Sequence, residues 1–287
     1  MTSDKSIAEV YLSKWQESSD TYRTMRSALR SLASVLGAPD YNSCAWEMIR
    51  YETARAIPAR LLDARLAPRT VNKCLSALRG VLATAWHQGR ISREDYSQIE
   101  IKNVFGRSVP AGRALDDADV NHLSDALSGI TTRNAAMIAI IYACGLRRIE
   151  VTRLQREDYD PYSLTLHAIG KGGKERFVPI APDWQSVIED HWRTLRPGVP
   201  MFSSSQNRAI SRSGISAVIN DFSRRIGGER FTPHDLRRSF ITHILERGGD
   251  VLVAQRLAGH SNVNTTAIYD RRGHAAEAEA VKVLRRK

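Results

Sequence analysis

The sequence is poor in cysteine, and its three cysteines offer neither a disulfide framework nor a metal-binding knuckle. Cys44, Cys74 and Cys144 are odd in number, widely spaced and set within apolar, helix-like patterns. Structural disulfides use cysteines in pairs, and zinc knuckles place them a few residues apart. We therefore expect reduced, buried thiols, as in cytosolic proteins.

Long apolar stretches are also absent. No segment approaches the ~18–20 uninterrupted apolar residues of a membrane span. The opening Met-Thr-Ser-Asp-Lys-Ser has no apolar signal core. The chain shows no internal repeat and no low-complexity tract. These absences argue against a membrane protein or a repeat array, and they predict a soluble, cytoplasmic protein.

Positive charge is in excess along the whole chain. The formal net charge is +11, with 16 Lys and Arg against 11 Asp and Glu in residues 1–112 and 26 against 20 in residues 113–287. A positive surface spread over both halves is typical of a protein that binds a polyanion, and DNA is the obvious candidate. A basic cytosolic protein without a nucleic-acid partner is the alternative.

Residues 5–100 show helical periodicity, with a third helix predicted from about Ala45 to Leu62. A fourth helix is also predicted, in which the apolar residues between Val71 and Ala85 fall within about 120° on a helical wheel. Its opposite side carries Arg69, Asn72, Lys73 and Arg79. Such a stripe is usually a solvated face, and a DNA-binding face is the alternative.

Residues 101–115 break this periodicity with glycine, proline and basic residues, as an interdomain linker does. A helix predicted from about Thr131 to Ala143 is apolar nearly all round and therefore buried. Two short strands are predicted at 164–169 and 176–180, around a glycine-rich turn. Further helices are predicted to start near Pro182, Ser211, Pro233 and Val251.

Four short motifs contain residues able to cleave a phosphodiester without metal: a nucleophile, a proton-transfer group and cationic donors. They are Cys-Gly-Leu-Arg147-Arg148-Ile-Glu150, Gly170-Lys171-Gly-Gly-Lys174-Glu-Arg-Phe-Val-Pro, Thr-Pro-His234-Asp-Leu-Arg237, and Leu-Ala-Gly-His260 followed by Tyr269. In this order and spacing they resemble the tyrosine recombinase (phage integrase) family over nearly the whole chain. Each motif alone would be weak evidence, whereas the set is specific.

The resemblance implies that Tyr269 is the nucleophile. It would attack the scissile phosphate to give a 3′-phosphotyrosyl link and a free 5′-hydroxyl, so that rejoining needs no ATP. A phenol ionises near pH ~10, so the proton must be removed and the phosphate charge neutralised.

The helix that begins after Thr232 has a good N-cap, a proline at its first position and Asp235 in its first turn. Its His234 and Arg237 are three residues apart and share one face. The resemblance implies that His234 transfers the proton near the tyrosine and that Arg237 binds the non-bridging oxygens. His260 would be a further phosphate donor.

Arg147 can bind two phosphate oxygens through its forked guanidinium, and Glu150 is at the right distance to orient it. The Gly-Leu-Arg frame favours Arg147 over Arg148, although Arg148-Ile149 replaces the small or apolar pair more usual in the family.

Lys171 lies on a glycine-rich turn, and the resemblance implies that it protonates the leaving 5′-oxygen, with Lys174 as its competitor. The turn lacks the G-x-x-x-x-G-K-[ST] frame, so no nucleotide is predicted. His234 and His260 have no suitably spaced carboxylate or thiol, so no metal or other cofactor is predicted. Arg212, at the hydroxyl-rich start of a helix, is a candidate DNA contact, although such starts are mostly caps.

The resemblance implies a mainly α protein. Residues 1–105 would form a helical, SAM-like core-binding domain, 106–112 a linker, and 113–287 a mostly helical catalytic domain with a small β-sheet. Its implied partner is double-stranded DNA with paired inverted core sites, bound by a homotetramer. The chain is too short for the arm-binding domain of larger phage integrases. Asp270-Arg271-Arg272 differs from the Tyr-Thr-His of many dimer resolvases, which favours a mobile-element enzyme over chromosome or plasmid dimer resolution.

Two other functions are possible. A type IB topoisomerase uses nearly the same chemistry, but the Gly-His260 to Tyr269 frame and the N-terminal helical domain argue against it. A non-catalytic DNA-binding regulator would be favoured by loss of a catalytic residue, and none is missing. The tail 275–287 is rich in helix formers, with Ala276, Ala280, Val283 and Leu284 on one face. It is expected to pack on its own domain or on a neighbouring subunit.

Overall fold

The computed structural model describes residues 5–105, 112–204, 208–260, 262–267 and 269. By its internal contacts the chain divides into two compact units, Met1–Ala111 and Gly112–Lys287. The described residues are mainly helical, and the second unit contains a three-stranded sheet. The predicted fold class, mainly α with a small sheet, is confirmed. Residues 106–111 of the predicted linker (106–112) and the predicted tail helix (275–287) lie outside the described residues.

The described part of the first unit contains five α-helices and one 3₁₀ turn. They are α1 (Ile7–Leu12), α2 (Asp20–Val35), the 3₁₀ turn (Trp46–Met48), α3 (Tyr51–Asp63), α4 (Pro68–His87) and α5 (Arg93–Gln98). Ser6, Ser19 and Ser92 start α1, α2 and α5, each accepting a backbone N–H from three residues further on. Serine oxygens at these positions satisfy a donor that the helix itself cannot.

Helix α4 lies at the centre of the first unit. It packs against α1, α2 and α3, and the apolar face predicted between Val71 and Ala85 is buried. The third predicted helix, by contrast, starts too early. Ile49 is buried in an extended conformation after the 3₁₀ turn, and α3 begins only at Tyr51. Burial of Ile49 and Trp46 in the core overrides the continuous helical pattern.

The described part of the second unit contains eight α-helices. They are α6 (Asp117–Ala126), α7 (Thr132–Ala143), α8 (Arg148–Val151), α9 (Pro182–Trp192), α10 (Arg212–Arg225), α11 (Pro233–Glu246), α12 (Val251–Ala258) and α13 (Asn264–Ala267). The helix starts predicted near Pro182, Ser211, Pro233 and Val251 are confirmed. Helix α7 is capped by Thr131 and buried at every residue from Ala135 to Ala143, as predicted. It packs against α9 and α11, so the chain that leaves its end emerges from the core.

The sheet is antiparallel in the order β1-β2-β3, with β1 at Tyr159–Asp160, β2 at Thr165–Ile169 and β3 at Glu175–Pro179. The two longer strands were predicted. The sequence did not predict β1, because a strand of two residues is too short to show alternation. The pairing of Ile169 with Glu175 brackets the glycine-rich turn and holds it at one end of the sheet.

The three cysteines are buried and unpaired, as predicted. Burial raises the pKa of the Cys144 thiol to about 12. Burial, with the charge of Glu47, raises that of Cys44 to about 11. Thiols of this kind are unreactive at neutral pH. In the part of the chain that the structure describes, no helix combines the length and the apolar character needed to cross a membrane.

Truncating Leu78 to alanine should reduce the free energy of unfolding of the first unit by about 2–5 kcal/mol, because it leaves a cavity in the core. Leu78 is fully buried on α4. Urea denaturation of the full chain, followed by circular dichroism, measures this. Ser76→Ala, at an exposed position of the same helix, is the matched control and should change stability by less than ~0.5 kcal/mol. Equal effects of the two changes would contradict the assigned core.

Candidate active site

Helix α11 presents His234 and Arg237 from its first turn. Thr232 caps it by accepting the Asp235 N–H, and the Asp235 carboxylate accepts the Thr232 N–H at 2.9 Å and its hydroxyl at 2.7 Å. The cap predicted at Thr232 is confirmed, and Asp235 completes it as a capping box. His234 is exposed, whereas Arg237 is buried. The capping box therefore fixes the backbone from which both side chains extend.

Arg237 is held by two backbone carbonyls, those of Gly145 and Ala258; its bond to Ala258 measures 2.6 Å. Burial, reinforced by the charge of Arg147, lowers the pKa of Arg237 to about 9, so the guanidinium stays charged at neutral pH. Gly145 has φ of +60°, and a Cβ there would lie 2.2 Å from the Phe240 ring. Only glycine fits between α11 and the chain leaving α7.

Glu150 is a buried carboxylate, 1% exposed, between two arginines. Arg147 donates to it from Nη1 at 2.8 Å and from its backbone N at 2.8 Å. Arg176 donates to both of its oxygens, at 3.1 and 2.7 Å. Burial raises the pKa of Glu150, but the hydrogen bonds and charges of Arg176 and Arg147 together outweigh it and hold that pKa below its usual range. The predicted pairing of Arg147 with Glu150 is present.

Arg176 of β3 is a site residue that the motif analysis missed. Its side chain is 11% exposed, and its Nε donates to the Leu257 carbonyl at 2.8 Å. A signal for it exists in the sequence. Residues two apart on a strand share a face, and Arg176 is two residues before the buried Val178. An arginine on the inward face of a strand needs a buried acceptor, here Glu150.

Three consecutive carbonyls at the end of α12 each accept a hydrogen bond from a different arginine. Leu257 accepts from Arg176, Ala258 from Arg237 at 2.6 Å, and Gly259 from Arg147 at 2.7 Å. The last carbonyls of a helix lack intrahelical partners and carry partial negative charge. The end of α12 therefore gathers three guanidiniums from three separate segments.

Gly259 ends α12 in the left-handed conformation, with φ of +64°. A Cβ there would lie 2.9 Å from Nη1 of Arg176. The next residue, His260, has Nδ1 2.9 Å from the Thr266 hydroxyl. Burial, followed by the charges of Arg237, Arg147 and Arg176, lowers the pKa of His260 to about 4. The imidazole is therefore neutral at physiological pH.

Tyr269 closes the site. Its backbone N–H donates to the Thr266 carbonyl at 2.9 Å, and its ring lies 6.4 Å from the His260 ring, inclined by 27°. Tyr269, His260, His234, Arg237 and Arg147 line one cleft of about 400 Å³. Residues as far apart in the sequence as 147 and 269 thus line the same cleft.

The glycine-rich turn between β2 and β3 is closed by the Gly170 N–H, which donates to the Lys174 carbonyl at 2.7 Å. Gly172 and Gly173 have φ of +75° and +74°, values that glycine adopts without strain. The side chain of Lys171 lies outside the described part of the structure. Its backbone follows Gly170, and a Cβ added at Gly170 would lie 3.4 Å from Oε1 of Glu150. The turn therefore leaves the sheet beside Glu150, which binds Arg147 and Arg176.

Arg148 and Arg212 border the same cleft. Arg148 Nη1 donates to the Ser216 hydroxyl of α10 at 2.7 Å, so its side chain is engaged away from Glu150, in contrast to that of Arg147. Arg212 begins α10, after the cap Ser211. The preference for Arg147 over Arg148 as the phosphate-binding arginine stays a prediction.

The predicted DNA-contacting residues of the first unit lie on α4, and two of them bind the protein itself. Asn72 exchanges hydrogen bonds with the backbone of Val104 at 3.0 and 2.8 Å. Arg79 donates to the Ile101 carbonyl and to Asn103, both at 3.1 Å. Arg69 and Lys73 are exposed. Thus Asn72 and Arg79 hold residues 101–104 against α4, while Arg69 and Lys73 face solvent.

Among the residues that the structure describes, no three His, Cys, Asp or Glu side chains form a metal-binding group. The positive charge in the cleft comes from arginines, which bind phosphate oxygens through paired N–H groups. The arrangement can neutralise a bound phosphodiester beside a phenol.

Comparison with known proteins shows which family the sequence matches. The phage integrase family model matches residues 113–275. Tyrosine recombinase XerD of Listeria innocua is 32% identical over 213 residues, 71% of this chain and 71% of that protein. Tyrosine recombinase XerC of Shewanella amazonensis is 31% identical over 257 residues, 87% of this chain and 84% of that protein.

Solved structures share the fold. The Tn1549 transposon integrase in complex with transposon right end DNA has a TM-score of 0.75 at 16% identity, covering 98% of this chain and 100% of that chain. The XerH site-specific recombinase bound to palindromic difH substrate has a TM-score of 0.69 at 21% identity, covering 91% and 80%.

Replacing Glu150 by glutamine should destabilise the second unit by about 3–5 kcal/mol at neutral pH, because two buried arginines lose their counter-charge. The lowered pKa of Glu150 means that its stabilising effect is complete above the unfolded value of ~4.3 and is lost as pH falls through the folded value. The stability difference between the two proteins should therefore stay constant near neutrality and shrink below about pH 4.

Urea denaturation at a series of pH values measures this difference. Glu246→Gln, an exposed carboxylate on α11, is the control and should change stability by less than ~0.5 kcal/mol. A difference that grows on acidification would contradict the charge assignment.

Proposed function

The chain belongs to the phage integrase family and is a site-specific DNA recombinase of the tyrosine type, and we propose that it cuts and rejoins DNA through a 3′-phosphotyrosine at Tyr269. The observation that supports this most is the cleft in which Tyr269 lies with Arg147, Arg237 and His260. Positively charged donors and a phenol line the same cleft. The reaction needs no cofactor in this proposal.

The arginines would bind the non-bridging oxygens of the scissile phosphate. Each guanidinium has five N–H groups. Arg237 uses two hydrogen bonds to carbonyls for its own orientation, and Arg147 one to Glu150 and one to Gly259. The other N–H groups of each guanidinium can donate to the phosphate oxygens and stabilise the negative charge that develops on them. Donors oriented in advance stabilise that charge without reorganisation.

His260 would act as a neutral donor. Its lowered pKa keeps the ring uncharged, and a threonine hydroxyl can donate to Nδ1, which leaves the proton on Nε2. Nε2–H can then donate to a phosphate oxygen. Thr266 would thus select the tautomer of His260, while also accepting the backbone N–H of Tyr269.

In the cleavage step the Tyr269 oxygen bonds to phosphorus as the bond from phosphorus to the 5′-oxygen breaks. The phenolic proton passes to a base, for which His234 is proposed, and the 5′-oxygen takes a proton from Lys171. Attack by the 5′-hydroxyl of a second strand reverses the step and releases Tyr269. Bond energy is conserved, so strand exchange needs no nucleotide.

The proposed partner is double-stranded DNA with paired inverted core sites, bound by a homotetramer. The excess of positive charge in both halves supports a DNA partner, as do the complexes of the Tn1549 integrase and XerH with DNA. We propose residues 1–105 as the core-binding domain, 106–112 as linker and 113–287 as the catalytic domain. Arg69, Lys73 and Arg212 would contact DNA directly, and Asn72 and Arg79 through the segment that they hold.

We propose a mobile-element role, on the basis of Asp270-Arg271-Arg272 after the nucleophile. Resolution of chromosome or plasmid dimers, by an enzyme of the same family, is the second candidate. A type IB topoisomerase is less well supported, because the sequence relatives are tyrosine recombinases. Transfer of strands between two DNA molecules, as opposed to relaxation of one, separates the recombinases from the topoisomerase.

Tyr269→Phe should retain DNA binding and form no covalent complex, because it removes only the attacking oxygen. A nicked suicide substrate traps the covalent product, which denaturing electrophoresis resolves. The assay is run in EDTA, where the wild-type protein should still cleave since arginines replace the charge of a metal. A covalent adduct of the variant, or a strict need for Mg²⁺ in the wild type, would contradict the proposal.

Lys171→Ala should slow cleavage by ~10²–10⁴-fold, the usual contribution of a positioned proton donor. A 5′-bridging sulfur leaves without protonation and should restore this variant selectively. Lys174→Ala on the same turn is the matched control, with little loss and no rescue expected. Rescue of Lys174→Ala in place of Lys171→Ala would identify Lys174 as the proton donor.

A further inference from the structure

Helix α11 has a second polar face, made by residues four positions apart, which binds the segment that leads into the second unit. Asp235 accepts the Arg113 N–H at 3.0 Å, Ser239 accepts the Leu115 N–H at 2.8 Å, and His243 hydrogen-bonds the Leu115 carbonyl at 2.8 Å. Arg247, the C-cap residue directly after the helix, continues the row and donates to Asp117 at 2.8 Å. Side chains at this spacing lie in one row along a helix. The segment is thus fixed along the helix that presents His234 and Arg237.

Gly112 starts this segment in a conformation that only glycine adopts easily. Its φ is +95°, and a Cβ there would lie 2.0 Å from Oδ1 of Asp235. The close approach orients the Gly112 carbonyl, which accepts a hydrogen bond from Nη1 of Arg238 at 2.8 Å. This carbonyl is a fixed anchor for the Arg238 side chain.

Arg238 is a buried charge to which the proposed chemistry assigns no role. It is 6% exposed, and its guanidinium carbon lies 5.5 Å from the centre of the Tyr269 ring. A guanidinium at this distance over an aromatic face is attracted by the ring. The attraction is larger when the cation is shielded from water, as it is here.

The Tyr269 ring is therefore bordered by Arg238 and by the His260 ring at 6.4 Å. The backbone of Tyr269 is tied to Thr266, in a four-residue helix that provides little rigidity of its own. The ring needs tertiary contacts to hold one orientation. Arg238 supplies such a contact from α11, whose first turn is fixed by a capping box.

We propose that Arg238 is a positioning residue for the nucleophile: anchored on the Gly112 carbonyl, it holds the Tyr269 ring in the orientation from which the phenol attacks. The inference rests on the proposed role of Tyr269. Arg238 touches neither the phosphate nor the leaving group in this scheme, so its removal should affect formation of the phosphotyrosyl bond. It should not affect recognition of DNA or protonation of the 5′-oxygen.

Arg238→Met tests the charge at nearly constant volume, and Arg238→Lys keeps a cation without the planar fork. Arg247→Met, at the other end of α11, is the matched control, because its exposed pair with Asp117 is far along the helix from Tyr269. For each protein we would measure thermal stability, half-site affinity by gel shift, and the rate of covalent-complex formation at saturating protein on the nicked substrate.

Arg238→Met should bind the half-site within about threefold of wild type and cleave at least ~10-fold more slowly, since only a step after binding is affected. Arg238→Lys should be intermediate. A 5′-bridging sulfur should fail to restore Arg238→Met, because protonation is not its defect. Cleavage by Arg238→Met at the wild-type rate, or full restoration by sulfur, would overturn the proposal.

A second measurement does not depend on chemistry or on DNA. With Tyr269 replaced by 3-fluorotyrosine, the ¹⁹F resonance reports the surroundings of the ring. Arg238→Met should shift or broaden it, and Arg247→Met should leave it unchanged. An unchanged resonance in Arg238→Met would refute the contact. If the resonance shifts but Tyr269→Phe still forms covalent complexes, the positioning contact is real and the proposed nucleophile is wrong.

Discussion

The site depends on the C-terminal end of α12, where three consecutive carbonyls bind three arginines. Arg176, Arg237 and Arg147 come from β3, α11 and the chain after α7, and each donates to a different carbonyl of residues 257–259. Three like charges in one place would repel one another in a poorly hydrated environment. The partial negative charge of the helix end and the buried Glu150 carboxylate compensate for this repulsion. The same contacts bring the sheet and two helices together.

The residual positive potential has a chemical consequence. Burial and the three guanidiniums together lower the pKa of His260 to about 4, and that of Arg237 falls to about 9. The resting site thus carries fixed arginine charges and a neutral imidazole. An incoming phosphodiester would supply the missing negative charge, so the site is electrostatically complementary to its proposed substrate and not to a neutral ligand.

Helix α11 joins this charged centre to the rest of the second unit. One face carries His234 and Arg237 into the cleft, and the row Asp235, Ser239, His243 and Arg247 binds the entering segment. Arg238 lies between them, with contacts to Gly112 and Tyr269. Glycines at 112, 145 and 259 allow the approach, since a Cβ at each would collide with a side chain.

Much of this protein was determined by local sequence signals. The caps Thr131 and Thr232, the all-round apolar α7 and the amphipathic α4 follow from propensity and periodicity, which act over a few residues. The candidate site residues were found because their motifs are short and contiguous. Arg176 lies within the glycine-rich motif and Arg238 directly follows Arg237, but neither was assigned a role from the sequence. The early start assigned to α3 shows that periodicity alone cannot detect burial of Ile49. Only the tertiary structure decided that Glu150 serves two arginines, that three carbonyls of α12 receive three guanidiniums, and that Asn72 and Arg79 bind residues 101–104. These contacts join residues up to 112 positions apart, and hydrogen bonds of that range depend on packing that no local pattern encodes.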